Sequence, residues 1–213
     1  MWKKSIMIVL ILSGLILIVS PFLKEYIIGF LSYRYNSEKI TVNQIDQNNR
    51  RKASFDFSTI QPPSFYETLT AGTSVDPKAI VGRIRVDSVG IRLPILKGTT
   101  SANLLVGATT MRADQQMGQG NYPLAGHHMR EQNLLFGPLM KVKIGADVEI
   151  TNLKYDYIYQ VVSRKIVPET DGSVIAQTSD KQITLVTCDK PTRTPNRLIV
   201  TGKLVRVVNH QGK

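Results

Sequence analysis

A single cysteine in 213 residues excludes an internal disulfide framework, and three histidines beside it are too few for a structural zinc module of the usual kind. No internal repeat and no low-complexity tract interrupts the chain, so solenoid, collagen-like and disordered architectures drop out. Neither a helix-turn-helix pattern nor an aromatic-basic RNA signature is present, which excludes nucleic acid as the expected partner. Acidic residues are the minority, 16 against 27 Lys and Arg, giving a net charge of +11 and a preference for anionic surroundings such as lipid head groups or wall polymers.

The one long uncharged run lies at the N-terminus. From Ser5 to Leu23 there is no charge, about 19 residues that would span roughly 28 Å as a helix. Lys3 and Lys4 precede the run, whereas Lys24 and Glu25 cancel after it, so the positive-inside rule keeps residues 1–4 in the cytoplasm and sends the rest outside. A cleaved signal peptide is the competing reading. The run exceeds an ordinary h-region, however, and the stretch from Ile18 to Phe22 offers no small-x-small cleavage site. A buried core helix would carry a polar face, which this run lacks. We therefore expect a transmembrane signal-anchor helix over 5–23 and a single-pass cell-membrane protein.

Residues 24–78 read as an extracytoplasmic stalk: polar, without sustained period, broken at Gln61, Pro62 and Pro63, with one short helix near Glu38 to Gln47. From residue 79 the period becomes two, which defines a separate domain over 79–213 with 18 basic and 10 acidic side chains. Strands are expected at Ala79–Val86, Val89–Leu96, Leu104–Gly107, Asn121–His127, Asp147–Thr151, Tyr155–Val167, Gln182–Cys188 and Arg197–Val208, with a helical turn at Leu134–Met140. The pattern predicts an all-β fold, an eight-stranded barrel with short helices.

Cys188 ends the apolar run Ile183 to Thr187 and precedes a turn-rich loop with Pro191 and Pro195, so its thiol sits at a strand end, where reactive groups are displayed. A lone cysteine is commonly a small buried hydrophobe. An unpaired thiol in an exported domain is unusual, and as a nucleophile it needs a basic or cationic neighbour. His127 and His128 end one strand, and Ala125 and Gly126 just before them leave steric space for a substrate; His210 lies in the polar tail. Neighbours in a strand face opposite sides, so only one of the pair is expected in a groove with the sulfur. Arg197 opens the strand after the Cys188 loop, so pairing of the two strands returns the guanidinium to the sulfur, where it can hold a carbonyl or an oxyanion. Arg193, in mid-loop, is its rival.

Three segments, Leu124-Ala125-Gly126-His127, Thr187-Cys188 after Ile183 to Val186, and Asn196 to Val200, resemble the signature elements of sortases, the membrane-anchored cysteine transpeptidases of Gram-positive bacteria. The anchor and length resemble the class A, housekeeping type. The resemblance implies an eight-stranded barrel. It also implies that Cys188 is the nucleophile, His127 the general acid and base, and Arg197 the stabiliser of substrate and oxyanion. Substrate contacts are expected from Thr187, with Ala125, Val186, Leu96 and Ile199 as apolar pocket residues. The implied partners are surface proteins bearing Leu-Pro-x-Thr-Gly sorting signals and a peptidoglycan amine on lipid II. No cofactor is expected. Some class A enzymes bind calcium through acids in the loop before the histidine, but here Gly107 to Gly126 contains only Asp114, so no metal requirement is expected. A non-enzymatic tethered barrel and an exported cysteine peptidase without transfer activity are the rival readings.

Overall fold

A computed structural model describes residues 2–57, 60 and 63–211; Gln61 and Pro62 of the expected stalk break, and Gly212 and Lys213 of the polar tail, lie outside the described residues. Eight strands close into a barrel: β1 (Ile80–Val86), β2 (Ile91–Leu96), β3 (Ala108–Thr110), β4 (Asn121–Ala125), β5 (Asp147–Thr151), β6 (Tyr155–Pro168), β7 (Gln182–Cys188) and β8 (Asn196–Asn209). They are ordered β1-β2-β3-β4-β7-β8-β6-β5, with β5 returning to β1. The pairs β2/β3 and β4/β7 are parallel and the rest antiparallel. Inward-facing side chains such as Ile84, Ile95, Leu124, Ile150, Tyr159 and Leu185 are fully enclosed. Each aliphatic side chain so buried contributes about 1.5–3 kcal/mol.

One expected strand is a helix. Leu104–Gly107 falls in α4 (Ser101–Val106), where the Thr100 hydroxyl accepts the Asn103 N–H and the Asn103 amide donates to the Lys97 and Gly98 carbonyls. That N-cap, and burial of Leu104, Leu105 and Val106 together, outweigh a four-residue apolar run that has no period of its own. The eighth strand is the three-residue β3 that follows. The expected turn at Leu134–Met140 is a 3-10 helix at Gly137–Lys141, with Pro138 inside its first turn.

The largest difference lies before the barrel. Residues 24–78 were expected as a tether, yet three helices lie there against the barrel: the end of α1 (Trp2–Asn36), α2 (Val42–Asn49) and α3 (Phe65–Ser74). Ile28, Leu31, Tyr35, Ala71 and Val75 join the barrel core, and Ile45 is buried as well. Reciprocal capping boxes, Thr41 with Gln44 and Ser64 with Glu67, start α2 and α3. Tyr35 Oη donates to the Val75 carbonyl, and the Arg83 guanidinium donates to the carbonyls of Asn36 and Glu38, satisfying the chain where α1 ends. Few apolar residues spaced far apart make this docking, so composition read it as polar linker. The N-terminal part of α1 is long and apolar enough to cross a membrane, with its most hydropathic stretch wholly unburied.

Candidate active site

Parallel pairing sets Ala125 of β4 beside Val186 of β7, and the Gly126 N–H donates to the Val186 carbonyl at 3.1 Å. Antiparallel pairing sets Cys188 opposite Arg197. The sheet thus gathers three chain segments at one end, with the sulfur on the central strand of the three. Arg197 is held rigidly. Its Nη1 donates to the Thr194 and Asn196 carbonyls, both at 2.9 Å, and Nη2 meets Glu169 Oε2 at 2.6 Å. Arg193 also lines the cavity, but among the described residues no such anchoring set surrounds it.

Cys188 is a free, half-buried thiol. Burial pushes its pKa above the ordinary value, Arg197 draws it down, and Asp189 and Glu169 oppose Arg197. His127 is 9% exposed, and burial pushes its imidazole down to about 4; Glu67 on α3 pulls upward and Lys24 on α1 downward. Its Nε2 is buried with no hydrogen-bond partner among the described residues. Both environments favour the neutral forms, thiol and imidazole, over a standing ion pair.

Strand β4 stops at Ala125, two residues short of the expected end, so the alternation that would separate the two histidines does not reach them. His127 and His128 line the same cavity. His128 Nδ1 lies 3.0 Å from the Cys188 carbonyl oxygen, which makes Nδ1 the protonated donor. The space expected beside Gly126 is occupied: a Cβ there would fall 2.5 Å from the Phe136 ring, and Phe136 N–H donates to the His127 carbonyl. The glycine therefore admits a core ring rather than a substrate.

The cavity has a volume of about 960 Å³ and is lined by Cys188, His127, Arg197, Thr187, Ala125, Val186 and Ile199 among others. Val186 and Ile199 form a small apolar cluster with Met111 and Val167. Thr187 Oγ1 is buried there, and Asp189 Oδ1 beside it in the chain is buried too, both without hydrogen-bond partners among the described residues. Leu96 does not belong. It is wholly buried: alternation sends Ile95 into the barrel and Leu96 to the outer face that it shares by register with Ala125 and Val186, but there Gly107 packs on it and covers it. Residues that sequence reasoning missed are Ser20, Pro21, Lys24 and Glu25 of α1, with Phe65 of α3 and its N-cap Ser64, which also line the cavity. No local signal marks them, since their place in the wall depends on helix docking.

Near the cavity the loop acid Asp114 is paired with Arg112 at 2.6 Å, and Arg112 Nη1 also donates to the Ile175 carbonyl across the loop between β6 and β7. A guanidinium therefore joins the two loops.

The chain matches the Sortase domain family over residues 84–205. It is 48% identical to sortase A of Listeria monocytogenes over 96% of this chain and 92% of that protein, and 35% identical to sortase A of Streptococcus agalactiae over 93% of this chain and 83% of that one. The solved structure of the Listeria monocytogenes sortase A superposes with a TM-score of 0.62 at 53% identity, covering 63% of this chain and 92% of that one. The sortase C2 of the Group B Streptococcus pilus island 1 superposes at 0.59 with 25% identity over 78% of this chain and 100% of that one.

Proposed function

The chain belongs to the sortase family of cysteine transpeptidases, and from that premise we propose that Cys188 is its nucleophile, His127 its proton carrier and Arg197 its charge stabiliser. The observation that carries the assignment is the strand register setting Cys188 opposite Arg197 on the wall of a cavity that His127 shares.

In the first half-reaction the Cys188 sulfur bonds to the threonine carbonyl carbon of a Leu-Pro-x-Thr-Gly sorting signal and its proton passes to His127. His127 enters neutral, as its burial dictates, and becomes imidazolium for that step only. Arg197 stabilises the carbonyl oxygen as it takes up charge. Collapse breaks the Thr–Gly bond and the imidazolium proton leaves with the glycine amine. A thioester remains on Cys188. An amine of a peptidoglycan precursor, lipid II by family analogy, then attacks the thioester and restores the thiol. Ala125, Val186 and Ile199 supply an apolar surface for the Leu-Pro part, and the unpartnered Thr187 hydroxyl a donor for the peptide.

Family membership sets aside the non-enzymatic barrel. A peptidase without transfer is separated by product analysis. The same reading makes 5–23 the membrane anchor, with residues 1–4 cytoplasmic, 24–78 joining the anchor to the barrel, and the catalytic domain outside. Tethering raises the enzyme's effective concentration towards membrane-borne substrates. Mass spectrometry of the purified full chain with a Leu-Pro-x-Thr-Gly peptide tests the proposal. A thioester on Cys188 is expected, converted to a transpeptidation product by a glycine- or diaminopimelate-type amine and absent in Cys188→Ala. Hydrolysis alone, unchanged by amine, would refute transfer.

A further inference from the structure

Helix α1 is continuous from Trp2 to Asn36, with Pro21 inside it, so its membrane-crossing part and its barrel-packed part belong to one helix. The buried side chains Ile28, Leu31, Ser32 and Tyr35 mark the barrel face. On the opposite face, at helical spacing, Phe22, Tyr26, Phe30 and Tyr33 stand 72%, 73%, 56% and 73% exposed. They edge an open groove of about 510 Å³ with Gly29, Leu134 and the carboxylates Glu25 and Glu131.

Lys24 and Glu25 end the apolar run in sequence, but both are engaged by the protein beside the stripe rather than on its line. Lys24 Nζ donates to the Pro63 carbonyl at 3.2 Å, and Glu25 Oε1 accepts the Glu131 N–H at 3.2 Å. The line that carries Phe22, Tyr26, Phe30 and Tyr33 therefore runs from Ser5 to Tyr33 without a charged side chain of α1 in it, about 29 residues or roughly 43 Å, while Glu25 and Glu131 lie at its edge. That is longer than the roughly 30 Å hydrocarbon core and close to the roughly 40–45 Å of a bilayer with its head groups. Tyr, with an apolar ring and a polar hydroxyl, is a side chain suited to the interfacial layer.

We infer that the barrel is seated against the lipid head groups through the Phe22, Tyr26, Phe30 and Tyr33 stripe, so that the catalytic cavity, whose wall includes Ser20, Pro21, Lys24 and Glu25, opens at the bilayer surface. The occupant of the stripe is lipid, because the stripe continues the membrane-crossing face without a charge between them. The inference rests on the anchor reading and goes beyond it: a barrel tethered clear of the bilayer surface would leave Tyr33 in water, roughly 15 Å above Leu23.

The test uses the full chain in nanodiscs, in a Cys188→Ala background, with Leu12→Cys, Tyr26→Cys, Tyr33→Cys or Val207→Cys carrying one environment-sensitive fluorophore. Val207 is the control, ten residues and so roughly 33 Å along β8 from Arg197. Expected are loss of fluorescence at Leu12 with a tail-deep nitroxide lipid, loss at Tyr26 and Tyr33 with a head-group nitroxide lipid, and no loss at Val207 with either. Quenching at Leu12 with none at Tyr33 would overturn the seating and leave the anchor intact. No quenching at Leu12 would overturn both. Self-transfer between Tyr33 labels that vanishes on dilution into empty nanodiscs, without lipid quenching, would assign the stripe to a second copy and also overturn the seating.

Discussion

His127 is held neutral by burial, and this predicts a stability change with pH that belongs to one side chain. The imidazole moves from 6.5 in the unfolded chain to about 4 in the folded one. Between those values the unfolded state binds the proton and the native state does not, so folding loses free energy as pH falls through this window. Above 6.5 both states are neutral and nothing is lost; below 4 both are protonated and the loss levels off. At about 1.4 kcal/mol per decade the full loss is roughly 3 kcal/mol. Urea unfolding of the full chain in detergent micelles, followed by the barrel's circular dichroism at pH values from 7.5 to 3.5, measures it. His127→Gln cannot titrate, so the wild-type curve should fall relative to the variant by roughly 3 kcal/mol between pH 6.5 and 4. The depressed carboxylates Glu67, Asp114 and Asp171 lose their contribution at lower pH and do so in both proteins. Parallel curves, or an imidazole NMR titration with a midpoint near 6.5, would refute the burial argument and with it the neutral His127 that the mechanism requires.

The remaining predictions concern the same cavity. With its pKa raised above the ordinary 9.0 and no hydrogen bond to His127 among the described residues, Cys188 should be alkylated by iodoacetamide at a rate that climbs through alkaline pH. The rate should be unchanged in His127→Ala; an inflection near neutrality that vanishes in that variant would reveal an ion pair. Arg197→Lys cannot reproduce the contacts to two carbonyls and Glu169, so kcat/KM should fall by about 10²–10³ with the fold retained. His128→Ala should lower kcat roughly three- to ten-fold with little change in KM, and His128→Asn, whose amide can donate to the same Cys188 carbonyl, should recover most of it. Equal loss in both variants would show that the contact does not position the nucleophile. A chelator should leave transpeptidation unchanged, whereas Arg112→Ala should raise KM by freeing the loop that carries Ile175. A large reversible loss on chelation would overturn the expectation of metal independence.

Much of the barrel was legible because strand alternation is local. Asp147–Thr151 and Gln182–Cys188 coincide with β5 and β7, and Tyr155–Val167 and Arg197–Val208 fall within one residue of β6 and β8 at each end. The proximity of Cys188 and Arg197 was also readable, since a short loop between two strands fixes which ends meet. Leu104–Gly107 was not, because a short apolar run fits a buried helix and a buried strand equally well, and the Thr100 cap with its packing decided between them. Leu96 was taken for a pocket residue and does share a face with Ala125 and Val186, but the packing of Gly107 over it keeps it out of the cavity.

The chain order of residues by itself determined the apolar N-terminal rod, the strand periods and the placing of a unique thiol at a strand end. Those properties follow from backbone geometry over a few neighbouring residues. Only the tertiary structure decided that the end of α1, α2 and α3 dock on the barrel, that His128 reaches a carbonyl 60 positions away, and that Lys24 and Glu25 are engaged by the protein beside the aromatic line of α1. Burial, electrostatic shift and exposure depend on which distant surfaces meet, and contacts between segments so far apart in the chain leave no periodicity along it.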